Sequence, residues 1–187
     1  MKKFLSIGIL FITACSSTPA VQPPPPPVDA TIEAVTSLEI TSNAFENEGA
    51  IPSSYSCDGE NTSPALSWLK PPDGTQSFAL IMDDPDAPLG TFVHWVIFNI
   101  PSSARGLSPA IPKIPQLTEG SIQGQNSASL PGYMGPCPPT GTHRYFFKLY
   151  ALDTTLGLTS DAKKDDVLSA MEGHILAEGQ LMGTYSH

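Results

Sequence analysis

The sequence predicts a mostly β domain, an antiparallel sandwich of short strands with one helix near its end. Short runs rich in β-branched and aromatic residues alternate with turn-forming stretches such as Pro71-Pro-Asp-Gly74. Asp165–Glu178 instead repeats its apolar side chains at helical spacing, and acidic residues at its start favour a helix N-terminus. Strands in the majority with one late helix are typical of a β sandwich.

The strand predictions come from local pattern. We expect strands at Ser37–Thr41, Ser63–Trp68, Ser77–Met82, Phe92–Ile100, Arg144–Leu152 and Gln180–Tyr185. Alternation within the fifth of these places Tyr145, Phe147 and Leu149 on one face. Trp68 and Trp95 are expected in the core. Residues 102–142 are rich in Pro, Gly and Ser and lack periodicity, which predicts a long loop region.

Residues 1–14 have the layout of a bacterial lipoprotein signal peptide. Two lysines precede the apolar run Phe4–Ile12, and Ile12-Thr-Ala-Cys15 resembles a lipobox, which implies cleavage before Cys15 and lipidation of its sulfur. A transmembrane anchor needs about 20 apolar residues, more than this run contains. Plain secretion is the remaining alternative.

Residues 15–35 are predicted to form a Pro-rich tether, and residues 36–187 the folded domain. The run Pro23–Pro27 favours an extended polyproline conformation. By resemblance to Gram-negative lipoproteins, Ser16 after the lipidated cysteine favours the outer membrane. We therefore expect a lipid-anchored protein on the periplasmic face of the cell envelope.

The charge balance excludes one class of partner. The chain has 9 basic and 18 acidic residues and a formal charge of −9. Loss of Lys2 and Lys3 with the signal peptide makes the mature chain about two charges more negative. Such a surface argues against nucleic-acid phosphates as the partner. There is also no glycine-rich phosphate loop before a helix, and we expect no cofactor.

Two segments carry chemistry, and each places a histidine near a proline-stiffened turn. The first is Asp84-Pro-Asp86 followed by His94, and the second is Gly135–Pro139 followed by His143-Arg-Tyr145. If their strands lie together, the two histidines converge on one cavity that suits a phosphate or carboxylate group. An adjacent aspartate would favour the protonated form of His94 and would orient its ring.

These motifs resemble the phosphatidylethanolamine-binding protein family, in particular its bacterial Raf-kinase-inhibitor-like branch. The resemblance runs from about Leu38 to Tyr185 and rests on several motifs in the family order, namely Cys57-Asp-Gly-Glu-Asn-Thr-Ser-Pro-Ala-Leu-Ser-Trp68, Asp84-Pro-Asp-Ala-Pro88, His94-Trp95, Gly135-Pro-Cys-Pro-Pro139 and His143-Arg-Tyr145. It implies a Greek-key sandwich with an anion pocket. Carried over by motif, the ligand-binding residues are Asp84, His94, Pro136, His143 and Tyr145, with Asp86 and Tyr185 in supporting positions.

The resemblance implies a non-enzymatic protein that binds a small anion or a phospholipid head group, and that could inhibit or regulate a partner protein. The alternative is an envelope hydrolase that uses Cys137 as a nucleophile, or a His/Asp metal site in the same cavity. Cys57 and Cys137 could equally form a disulfide, since the compartment permits one. Sequence leaves that pairing open.

Overall fold

Nine strands, one α-helix and one short 3-10 helix (Ser53–Tyr55) follow one another along the part of the chain that the computed structural model describes, residues 36–69 and 71–187. The predicted signal peptide, Cys15 and the tether lie outside these residues. The elements are β1 (Thr36–Ser37), β2 (Glu39–Thr41), β3 (Leu66–Leu69), β4 (Ser77–Asp84), β5 (Phe92–Pro101), β6 (Gly106–Leu107), β7 (Ile122–Gln123), β8 (Thr142–Leu152), α1 (Lys164–Met171) and β9 (Ile175–Ser186). Within these ranges, no helix has the length and apolar character needed to span a membrane.

The strands form two sheets, and the chain crosses between them repeatedly. The large sheet has the order β1-β9-β8-β4-β5-β7, and the small one has the order β2-β3-β6. Neighbouring strands are antiparallel, apart from the short parallel pair β1–β9. The predicted mostly β sandwich with one helix is confirmed.

The main core lies between the two sheets. Trp68 of the small sheet packs against Phe78 of the large sheet, with ring centroids 5.3 Å apart. Tyr145, Phe147 and Leu149 all point into this core from one face of β8, as their alternation predicts. Burial of each such side chain contributes about 1.5–3 kcal/mol, so this layer stabilises the sandwich on which the site is built.

A second apolar cluster covers the opposite face of the large sheet. Ile81 of β4 and Phe98 of β5 pack there with Val167 and Met171 of α1. The amphipathic helix thereby forms a third layer, and the central strands β4 and β5 are largely buried on both faces. This explains why every residue of β4 is buried, where a surface strand would alternate.

The predicted extent of the helix is wrong. α1 ends at Met171, and the chain turns at Gly173, whose φ of +78° is costly for other residues. The following residues form β9, which pairs with β8 from Leu152↔Ile175 to Thr142↔Ser186. Long-range strand pairing therefore overrides a helical spacing of apolar residues. His174, predicted within the helix, lies in the connection, and its Nδ1 is 2.8 Å from an Asp153 carboxylate oxygen.

The long loop region contains β6 and β7, and its later part extends the sheet edge beyond β7. Gly124 N donates to Val96 O at 3.0 Å, Ser127 N to Val93 O at 2.9 Å, and Met134 N to His94 O at 2.9 Å. These hydrogen bonds hold the loop against β5. The loop therefore forms one wall beside His94, although it has little regular secondary structure.

Candidate functional site

The two predicted segments meet at one end of the large sheet, around a cavity of about 280 Å³. His94 reaches it from β5 and His143 from β8, with β4 between these strands. The remaining wall is mostly apolar. The lining residues are Asp84, Ala87, Pro88, Phe92, His94, Met134, Gly135, Cys137, Pro139 and His143. The volume lies near the lower end of the roughly 300–1,000 Å³ common for ligand cavities, which suits a small group.

A β-bulge places His94 at this cavity. Met82 pairs with Trp95 and Asp83 with Val93, so His94 is the extra residue of β5. Simple alternation would put His94 on the helix-covered face with Val96. The bulge instead brings its ring against Tyr145 of the inter-sheet core, at a centroid distance of 5.2 Å. Bulges commonly redirect a side chain in this way beside functional sites.

His94 is buried and held by backbone. Its Nδ1 is 2.8 Å from Met134 O, which fixes Nδ1–H as the donor. Burial lowers the pKa of His94 below its ordinary 6.5, because the charged ring would lose hydration; the Met134 carbonyl and the Asp84 charge oppose this without overcoming it. The prediction of a protonated His94 is therefore wrong: because its pKa lies below 6.5, the ring is neutral near pH 7.

Asp84 orients His143, and not His94 as the sequence suggested. His143 Nδ1 lies 2.7 Å from Asp84 Oδ2, and both side chains are buried. The other carboxylate oxygen accepts the Asp86 N–H at 2.8 Å in a tight turn. Both Asp84 oxygens therefore have protein partners, and the carboxylate fixes the His143 ring.

Asp86 lies outside the cavity lining and pairs with Arg144. The Arg144 guanidinium donates to both carboxylate oxygens, at 2.9 and 2.7 Å, and its backbone N–H donates at 3.0 Å. The hydrogen bond from Arg144 lowers the pKa of Asp86 to about 2. This pair joins the acidic turn to the start of β8 and so supports the two segments that carry the histidines.

The other predicted site residues lie behind or beside the cavity. Pro136 and Tyr145 are buried, and burial together with the nearby Asp84 charge raises the pKa of the Tyr145 phenol. Tyr185 pairs with His143 across β8 and β9, and its phenol donates to Asp58. None of the three is part of the cavity lining, and their role in ligand binding stays a prediction.

A disulfide joins Cys57 to Cys137, whose α-carbons are 5.4 Å apart. Further hydrogen bonds join the two loops that carry these cysteines. Cys57 N donates to Pro136 O at 3.0 Å, and Gly135 N donates to Asn61 Oδ1 at 2.8 Å. A Cβ at Gly135 would stand 2.3 Å from Tyr55 O, so only glycine permits this approach. The cavity wall at Gly135 and Cys137 is therefore firmly positioned.

Sequence reasoning missed the apolar part of the wall. Pro88 ends the family motif Asp84-Pro-Asp-Ala-Pro88, and this position was the signal that could have placed it in the wall. Phe92, whose ring centroid is 4.9 Å from that of His94, was assigned only to a strand. Met134 carried no signal at all, because its carbonyl reaches His94 only through the path of a long loop.

Three larger hollows, of about 410 to 480 Å³, lie elsewhere on the described surface. None is lined by a histidine or by a buried charged pair. The smaller cavity is the candidate site because of its chemistry: each imidazole uses Nδ1 within the protein, and Nε2 has no hydrogen-bond partner among residues 36–69 and 71–187. Nε2 can accept a proton from a ligand, or donate to an anion once the ring is protonated.

Two proteins of other organisms resemble this chain over most of its length. A UPF0098 protein of Methanothermobacter thermautotrophicus is 55% identical over 148 residues, which cover 79% of this chain and 98% of the relative. A UPF0098 protein of Aquifex aeolicus is 49% identical over 151 residues, covering 79% and 88%.

Solved structures show the same fold. A phosphatidylethanolamine-binding protein homologue from Chlamydia trachomatis has a TM-score of 0.75 at 38% identity, covering 81% of this chain and 99% of its own. E. coli YbcL, described as a member of the mammalian family, has a TM-score of 0.75 at 31% identity with the same coverage. The family model named phosphatidylethanolamine-binding protein matches residues 41–186. The chain belongs to the phosphatidylethanolamine-binding protein family.

Proposed function

We propose that this protein binds a small phosphate- or carboxylate-bearing group, such as a phospholipid head group, in the cavity between His94 and His143, and that it does so without catalysis. Membership of the phosphatidylethanolamine-binding protein family supports a binding or regulatory role. The observation that carries the proposal is the pair of buried imidazoles whose Nδ1 atoms are fixed by Met134 and Asp84. Their Nε2 atoms are left for a ligand.

The charges of the site support an anion that arrives with a proton. His94 is neutral before the anion binds, because burial lowers its pKa. A bound phosphate oxygen would supply the negative charge that stabilises the imidazolium, so His94 takes up a proton as the anion enters. The apolar surfaces of Pro88, Phe92 and Met134 then reduce the competition from water.

Two observations favour binding over the alternative of a hydrolase. The sulfur of Cys137 is bonded to that of Cys57, so the nucleophile which that alternative needs is not a thiolate in this state. Among the described residues, the ligand types that could hold a metal converge at Cys57, Cys137 and His187, a group that includes neither cavity histidine and no aspartate. A count of free thiols together with metal analysis of the native full chain distinguishes the two functions.

Regulation of a partner protein is the second part of the proposal. Leu89 is fully exposed, directly after Pro88 of the cavity wall. An apolar side chain in this position offers a partner a contact at the mouth of the site, so ligand and partner would compete or cooperate there.

We place the protein at the cell envelope, anchored by lipid on Cys15, on the strength of the lipobox-like sequence and the Pro-rich tether. A Cys15→Ala chain is expected in the soluble fraction, while the parent chain remains with the membrane. Equal membrane association of both would contradict the anchor without bearing on the cavity.

Isothermal titration calorimetry of the full chain with O-phosphoethanolamine, and separately with inorganic phosphate, tests the cavity. We expect saturable binding by the parent chain and its loss in a His94→Ala, His143→Ala variant. His174→Ala is the matched control, since this exposed histidine pairs with Asp153 outside the cavity. Circular dichroism checks that each variant is folded, and His94→Gln, His143→Gln replaces the alanine pair if that one unfolds. Unchanged binding by a folded double variant would overturn the proposal.

A further inference from the structure

A cluster of metal-type ligands surrounds the Cys57–Cys137 disulfide, and of its members only Cys137 also lines the cavity. The sulfur atoms of Cys57 and Cys137 and a ring nitrogen of His187 all lie within 4.8 Å of one another, and the three residues are exposed. Three potential ligands from positions 57, 137 and 187 are thus brought together by the fold and not by local sequence.

A fourth oxygen ligand lies next to this cluster. Asp58 Oδ1 is 3.8 Å from His187 Nε2, and the Asp58 side chain also accepts a hydrogen bond from the Tyr185 phenol. Two sulfurs, one imidazole and one carboxylate or water make a tetrahedral donor set that Zn²⁺ favours. The sulfurs are engaged with each other while the disulfide is intact.

We propose that reduction of the Cys57–Cys137 disulfide opens a Zn²⁺-type metal site formed by Cys57, Cys137 and His187, with Asp58 or water as the fourth ligand. A small-molecule or protein thiol supplies the reducing equivalents. Its thiolate attacks one exposed sulfur, the protein S–S bond breaks, and a second thiol releases the mixed disulfide. The products are two protein thiols and one reductant disulfide. Binding of Zn²⁺ then displaces two protons from the thiols.

The surrounding loops are fastened independently of the disulfide, which keeps the ligands together after reduction. Cys57 N donates to Pro136 O at 3.0 Å, and Tyr133 Oη donates to Tyr55 O at 2.7 Å. His187 is positioned by the end of β9, where its N–H reaches Gly141 O at 3.4 Å. With α-carbons 5.4 Å apart, the two cysteines can both approach one ion at Zn–S bonds of about 2.3 Å by side-chain rotation.

The test uses the full chain with Cys15→Ser, because this substitution removes the third thiol. The chain is compared in its oxidised form and after reduction with dithiothreitol. The dithiothreitol is removed under nitrogen before the measurement. Zn²⁺ binding is measured by competition with a chromophoric chelator, and Co²⁺ is used to detect thiolate ligation by its charge-transfer absorption. We expect one equivalent of Zn²⁺ bound by the reduced chain and none at the same concentration by the oxidised chain.

Two histidine variants show whether His187 binds the metal or whether the two cysteines bind it alone. His187→Ala is expected to weaken Zn²⁺ binding by at least the roughly 10-fold that loss of an outer-sphere partner causes. His174→Ala, an exposed histidine away from the cluster, should bind as the parent does. Equal binding by oxidised and reduced chains, or equal effects of the two histidine variants, would overturn the proposal.

Circular dichroism of the reduced chain and of a Cys57→Ser, Cys137→Ser variant tests whether the domain survives opening of the disulfide. We expect both to be folded and the serine variant to bind no Zn²⁺. Unfolding of the reduced chain would overturn the proposal as well, because its thiols would then bind metal without the geometry of the site. None of these outcomes depends on whether the neighbouring cavity binds phosphate.

Discussion

Asp83 and Asp84 are adjacent in sequence, yet they serve opposite faces of the large sheet. Asp83 points to the helix-covered face, where Lys148 Nζ lies 3.0 Å from Oδ1 and Lys164 Nζ contacts Oδ2. Asp84 points to the sandwich face and holds His143 Nδ1 at 2.7 Å beside the cavity. Both carboxylates are almost fully buried, with exposures of 1% and 3%.

The difference lies in the partners. Two ammonium groups pair with the Asp83 carboxylate, and the Lys164 contact joins α1 to β4. The negative charge of Asp83 therefore stabilises the fold. Asp84 has one imidazole partner, whose second nitrogen has no hydrogen-bond partner among the described residues. Of these two buried carboxylates, Asp84 is the one whose partner keeps a nitrogen without a hydrogen bond next to a cavity. Substitutions around the two carboxylates test this distinction.

Removal of both Asp83 partners should have the largest effect. A Lys148→Met, Lys164→Met variant leaves the Asp83 carboxylate buried and unpaired, and we expect unfolding free energy to fall by about 3–5 kcal/mol. Urea denaturation measures the loss, and addition of Asp83→Asn should recover part of it. Ligand affinity of the folded fraction should stay unchanged, and loss of affinity in that fraction would remove the functional distinction between Asp83 and Asp84.

Substitution of Asp84 should act on binding more than on stability. Asp84→Ala frees the His143 ring, and we expect O-phosphoethanolamine to bind about tenfold more weakly, since a hydrogen bond to a charged group contributes about 1.5–3 kcal/mol. Calorimetry of the full chain measures the change. If Asp84→Ala binds as tightly as the parent, the orientation of His143 does not contribute to affinity.

The pH dependence of binding should follow His94. Its pKa is lowered in the unliganded protein and rises when an anion binds, so affinity increases as pH falls from 8 towards 6, by at most about tenfold per pH unit for one proton. His94→Gln should flatten this dependence. Calorimetry in two buffers of different ionisation enthalpy measures the proton uptake, and its absence would contradict coupling to His94.

The lowered pKa of His94 also makes the stability of the unliganded protein depend on pH, in the direction opposite to that of ligand affinity. Because the unfolded chain binds a proton at His94 more readily than the folded one, this residue's contribution is complete above the ordinary pKa of 6.5 and declines as pH falls below it. Urea denaturation of the parent and of His94→Gln between pH 8 and 5 would reveal this decline in the unfolding free energy.

The smallest effect is expected at Asp86. Its partner Arg144 is 53% exposed, and an exposed ion pair contributes about 0.2–1 kcal/mol. Asp86→Ala should therefore cost under about 1 kcal/mol and change ligand affinity less than about twofold. This variant is the matched control for Asp84→Ala. Equal loss of affinity in both would show that ligand affinity depends on the acidic turn and not on the orientation of His143.

Local pattern was enough to predict the longer strands, since alternation in Arg144–Leu152 reports which face is buried. It missed the two-residue strands β6 and β7, and it joined β1 and β2, which belong to different sheets, into one strand. It failed at the end of α1, where apolar residues continue at helical spacing past Gly173 into β9. The convergence of His94 and His143 was predicted only on the condition that their strands lie together, and the family motifs supported that condition. The bulge at His94 and its Met134 partner could not be predicted, because both depend on contacts between segments distant in sequence.

A crystal structure of the full chain soaked with O-phosphoethanolamine tests the central claim most directly. We predict phosphate density within hydrogen-bond distance of Nε2 of both His94 and His143, and no such density in the His94→Ala, His143→Ala variant. Density for the phosphate elsewhere on the domain, with the cavity holding water alone at a saturating concentration, would contradict the proposed site.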